Sequence, residues 1–240
     1  MKRPIMSGAL SSVLVLMSVS ALAQTDFYTE NPSYNLTGSG APASGYNGNV
    51  GIRFGLQASD VPAGDAVEVT ALGFWAGTSG QFTGAGTVDY NHTLSLWGPN
   101  TYANRTGSYA SLNLASVTLS AGATVDANGF AWVTLSTPIT LVPSDYYMVL
   151  TSVTSGQTTD PYLNPYDNGS SGNTAITGYA GTPFVDYEGA YSTSGQAYNG
   201  SGYLGPNLQY EIVVVPEPSI MALGGIGLMA LMVYRRRAVK

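Results

Sequence analysis

"LASVTLSAGATVDANGFAWVTLSTPITLVPSDYYMVLTSV", Leu114 to Val153, carries the strongest β pattern in the chain. Short runs of Val, Ile, Leu, Thr and aromatic residues are separated by turn-forming residues, which is how successive strands read. Leu114 to Leu119 is expected as one strand, Phe130 to Leu135 as a second, Ile139 to Val142 as a short third and Tyr146 to Val153 as a fourth. Asp126 to Gly129, "DANG", is expected as a turn, because Asn-Gly tolerates the positive φ that tight turns demand. Pro138 and Pro143 each lack a ladder donor, so the stretch between them is expected at a sheet edge.

Upstream, "AVEVTALGFWAG" alternates Val67, Val69 and Ala71 against Glu68 and Thr70 before Phe74 and Trp75, and "HTLSLWG" sets Leu94 and Leu96 against Thr93, Ser95 and Trp97. Both alternations have the period of half-buried strands. A last strand is expected over Leu208 to Val215. No window between the two ends keeps a 3.6-residue apolar period, so the fold class is all-β. Strands with turn signals about every ten residues suggest an antiparallel β-sandwich of jelly-roll or immunoglobulin-like type. The body is assigned to residues 52–215. Residues 24–51 read as an irregular segment rich in Gly, Ser and Asn, and residues 156–206 as a long Tyr/Gly-rich loop.

The two ends have a different character. Lys2 and Arg3, an apolar stretch from Val13 to Val19, and Ala21-Leu22-Ala23 form the three parts of a signal peptide over residues 1–23, with Ala21 and Ala23 at the cleavage site and Gln24 as the first mature residue. At the other end, Pro216-Glu217-Pro218 precedes an apolar run over 220–234 and a basic tail over 235–240 that begins Arg235-Arg236-Arg237. The prolines hold Glu217 extended and accessible. The run is a little short for a transmembrane helix, but its arginines can snorkel, and three of them favour the cytoplasmic side. A single membrane-crossing sorting helix is therefore expected there.

From Asp26 to Glu217, fourteen acidic residues face two basic ones, Arg53 and Arg105, a formal charge of −12. Such a body repels phosphate backbones, which excludes the usual electrostatic route to nucleic acid. The chain has no cysteine, so stability has to come from an ordinary hydrophobic core, and a zinc site lacks its ligands.

Candidate chemistry is sparse. His92 is the only histidine, no G-x-S-x-G elbow accompanies it, and a structural hydrogen bond is its expected role. No catalytic residue and no cofactor are expected. Asp160 and Asp167, in "DPYLNPYDNGSSGN", offer oxygen ligands for calcium, set against their ordinary use in turns; the spacing lacks the Glu of an EF-hand. Tyr162, Tyr166, Tyr187 and Tyr191 lie among Gly, Ser and Asn, a composition suited to adaptable recognition of glycans or proteins, set against simple loop cover.

"VPEPS" at Val215 to Ser219, a Gly-containing apolar run and "RRR" together resemble the PEP-CTERM sorting signal of exported bacterial proteins. The resemblance implies that an exosortase, an integral-membrane protease, recognises Pro216, Glu217 and Pro218, and that Arg235, Arg236 and Arg237 retain the tail until the body is released or transferred. It also implies association with the envelope or with extracellular polysaccharide. The motifs "VTALGFW", "HTLSLW", "LASVTL" and "GFAWVTLSTPITLVPSDYYMVL" resemble a β-rich domain of unknown function from bacterial surface proteins. The expectation is an exported, envelope-sorted, non-enzymatic surface or matrix protein with a structural body. The alternative is a glycan- or protein-binding module. Either would sit in the inner membrane through its tail before processing, and at the cell surface or outside the cell afterwards.

Overall fold

The computed structural model describes residues 24–27, 29–30, 48–77, 86–101, 112–153, 176–177, 183–192, 205–215, 227–232 and 234–235. Eleven strands are found among them: β1 (Thr25–Asp26), β2 (Thr29–Glu30), β3 (Gly48–Leu56), β4 (Asp65–Trp75), β5 (His92–Asn100), β6 (Asn113–Leu119), β7 (Phe130–Leu141), β8 (Tyr146–Val153), β9 (Ile176–Thr177), β10 (Phe184–Ser192) and β11 (Pro206–Val214). They form a four-stranded sheet in the order β1-β11-β4-β7, a five-stranded sheet in the order β10-β3-β8-β5-β6, and a small β2-β9 pair. Every pairing is antiparallel.

One hydrophobic core takes residues from both large sheets. Val67, Val69, Leu72, Phe74 and Leu208 come from the four-stranded sheet, and Ile52, Phe54, Leu94, Leu96 and Val149 from the five-stranded one. Burying each such side chain contributes about 1.5–3 kcal/mol, which is how a chain without cysteine holds two sheets together. A ring cluster closes one part of this core. Phe27, just after β1, lies 4.7 Å from Phe54 and 4.8 Å from Phe184. Phe184, at the start of β10, meets Phe54 at 5.1 Å and Tyr210 at 5.0 Å edge-on. Such tilted and edge-to-face pairs suit the ring quadrupoles.

The turns follow the residues that make them. Asp126 organises "DANG": its Oδ1 accepts from the backbone N–H of Asn128 (2.8 Å) and of Phe130 (3.0 Å), and its Oδ2 accepts from the Trp132 indole (2.7 Å). Gly129 supplies the positive φ of 84° that an L side chain resists. Trp132 then lies across Gly73, its partner in the β4–β7 ladder, where an added Cβ would run into the six-membered ring.

Three expectations need correction. The stretches Phe130 to Leu135 and Ile139 to Val142 form one strand, β7, because the break at Pro138 is absorbed by a bulge: Thr134 pairs with Ala71 and Ile139 with Val69. The strand is at the sheet edge, as the prolines demand. Residues 24–51 are not irregular throughout, since β1 pairs with β11 and β3 begins at Gly48. Nor is 156–206 a loop throughout, since β10 extends the five-stranded sheet by pairing with β3, with a bulge between Val185 and Glu188.

Candidate functional site

The C-terminal tail leaves from the end of an interior strand. β11 is paired on one side to β4 from Pro206↔Phe74 to Val214↔Asp65, and on the other to β1. One residue further on, the Val215 N–H donates to the Gly64 carbonyl at 3.0 Å. Gly64 accepts there from a turn that its own φ of 87° and the Asp65 N–H to Pro62 carbonyl bond make tight. Val214 and Val215 are exposed. The triplet Pro216, Glu217 and Pro218 follows at once and lies outside the described residues, as do Arg236 and Arg237.

Within the apolar run, residues 227–232 and 234–235 are α-helical, which takes in Arg235. Leu228, Met229, Leu231, Met232 and Tyr234 are exposed along this stretch. No helix among the described residues is long and apolar enough to cross a membrane; residues 220–226 and 233 of the expected run lie outside them.

At the front of the chain, Ala21 and Ala23 lie outside the described residues. Gln24 donates its side-chain amide to the Thr70 hydroxyl at 2.8 Å, directly before β1. Of the residues nominated for ligand binding, only Tyr187 and Tyr191 fall among the described residues. Tyr162, Tyr166, Asp160 and Asp167 lie outside the described residues. Tyr187 and Tyr191 stand on β10, with Tyr191 across from Val50 of β3, and so belong to a sheet and not to a loop. No group of three or more His, Cys, Asp or Glu among the described residues could hold a metal ion.

His92 has a structural environment. It is buried, its ring stacks on Phe74 at 4.2 Å, and Nδ1 is 3.0 Å from the Ser152 carbonyl of β8. The partner is the backbone of strand β8, so the expected structural role is met by a sheet neighbour.

Sequence reasoning passed over three polar positions. Arg53 is fully buried on β3, between Met148 of β8 and Glu188 of β10 in the two ladders. A lone cation between Ile52 and Phe54 was the available signal, since an Arg in an apolar alternation has to be accommodated inside or at a covered face. Asp26 joins three elements: its Oδ1 accepts from the Gln209 amide (3.0 Å) and its Oδ2 from Asn128 (3.3 Å). Burial pushes its carboxyl above the usual range, the two hydrogen bonds draw it back in part, and the charge of Asp126 adds to the rise. Tyr147 is buried with its hydroxyl accepting from the Val142 N–H at 2.6 Å, and burial pushes its phenol up to about 12.

No curated protein and no solved structure matches the chain. A protein-family model described as the PEP-CTERM protein-sorting motif matches residues 214–237, beginning on the last residue of β11. That span holds the triplet, the apolar run and the arginines in the order read from the sequence. The motif implies export, a transient membrane anchor and processing by an exosortase. The tail of this chain therefore carries a PEP-CTERM sorting motif, which supports an exosortase substrate with a β-rich body.

Proposed function

We propose that this chain is a surface or extracellular-matrix protein whose body is a non-enzymatic structural module, delivered by its tail and cut from it near Glu217 to Ser219. The observation that carries the reading is the junction at Val214 and Val215. The strand ladder ends at Val214 and the sorting triplet starts at Pro216. Removal of everything beyond residue 219 then takes no residue from either sheet, and the released body keeps its whole core.

The body is read as a jelly-roll sandwich. Along the chain from β3, the connections β3 to β4, β4 to β5, β6 to β7 and β7 to β8 each change sheets, while β5 to β6 stays within one. The orders β1-β11-β4-β7 and β3-β8-β5-β6 match the eight strands of that architecture, with β10 added beside β3. A structural role asks only for solubility and stability, which the formal charge of −12 and the two-sheet core supply. The one imidazole is occupied by packing and a backbone contact, which favours a body without acid–base chemistry.

A polysaccharide-binding screen of the released body tests the structural role. Absent binding supports it. Binding that falls when Tyr187 and Tyr191 are changed to Ala would replace it with a glycan-recognition module.

A further inference from the structure

We infer that the end of the body from which the tail leaves is a docking surface for the membrane protease that reads the sorting signal. This rests on the reading that such a protease cuts the tail. Chain length gives the first argument. Val215 is held to Gly64 by its own N–H, and the triplet starts at the next residue. At no more than about 3.6 Å per residue, Pro218 reaches roughly 11 Å beyond Val215 and Ile220 roughly 18 Å. A protease that closes on Pro216 to Pro218 has to meet this end of the folded body.

Surface character gives the second argument. The 142–145 turn lies at the same end, since Leu141 pairs with Val67, and Val214 with Asp65, on either side of β4. Two strand spacings put Val142 about 10 Å from the end of β11. Val142, Val214 and Val215 are 50%, 73% and 48% exposed, and the other exposed large hydrophobic residues among the described ones all belong to the tail. Three acidic residues lie at this end: Asp65 pairs with Val214, Asp145 accepts from the Leu56 N–H through its backbone carbonyl, and the short helix holding Asp60 follows β3.

Exposed apolar residues and acidic residues at one end suit a protein surface with apolar and basic groups of its own. An anionic headgroup layer would be repelled by the same acidic residues. The occupant assigned is therefore the protease and not the bilayer surface.

The absence of cysteine makes the test clean. The full-length chain carrying Val142→Cys, or Ala127→Cys in the turn at the opposite end of β7, is labelled with a short photo-activated cross-linker in membranes that contain the protease made inactive by an active-site substitution. The expected result is a protease adduct several-fold more abundant from position 142 than from position 127. Equal yields, no adduct, or adducts to lipid alone would overturn the docking surface. With active protease, the unlabelled chain must shorten to a C-terminus between Glu217 and Ser219. A chain still ending at Lys240 there would sink the sorting reading itself, and the docking surface with it.

Discussion

Two side chains connect local chemistry to measurable stability. The Tyr147 hydroxyl fills the hydrogen-bonding need of the Val142 N–H inside the structure. Tyr147→Phe removes the acceptor of a half-exposed residue's N–H and should cost about 0.5–1.5 kcal/mol in a denaturant melt. The phenol titrates near 10 when unfolded and is pushed up to about 12 when folded, so the unfolded chain loses its proton first. The stability of the wild type therefore falls as pH rises from 10 toward 12, and the Phe variant should show a shallower fall. At the acid end, Asp26 keeps its proton in the folded state above the ordinary 3.8. Stability held below that value is lost as pH rises through the higher, folded one. Asp26→Asn removes this loss, so its stability relative to wild type should rise as the pH climbs past 3.8. Parallel profiles for the two proteins would contradict the assignment.

β1 is two residues long, yet it brings Phe27 into the ring cluster shared by β3, β10 and β11. Phe27→Ala should cost about 3–5 kcal/mol, the range for deleting a buried ring, and a loss below 1 kcal/mol would mean that β1 is not docked as described. Elements with plain alternation or bounded apolar runs were legible beforehand. Tyr146 to Val153 matches β8, and the edge position of the Pro138 stretch follows from its missing donor. β3 was hidden by glycines that resemble loop residues. At Gly51 the reason is packing, because an added Cβ would collide with the Val149 carbonyl and come within 2.9 Å of the Leu150 Cα on β8. β10 was hidden by its bulge between Val185 and Glu188, which breaks the two-residue period that identifies a strand. The tail was legible because its signal lies in the order of three short segments along the chain. The nominated tyrosines were not, since composition alone does not distinguish a loop from the strand that carries Tyr187 and Tyr191.

Taken together, the molecule divides into a two-sheet body and a tail whose removal is proposed, and the division falls at the end of β11. The body has its core, its two sheets and nearly all of the acidic charge; the tail has the triplet, the apolar run and four of the eight basic residues. Because β11 lies between β1 and β4, a cut upstream of Val214 would strip an interior strand, whereas a cut just beyond Val215 leaves the sandwich whole. Intact-mass analysis of the protein recovered from cells that make the exosortase tests this division most directly. A mature species beginning at Gln24 and ending between Glu217 and Ser219 is the predicted result; a species that still ends at Lys240 would contradict it.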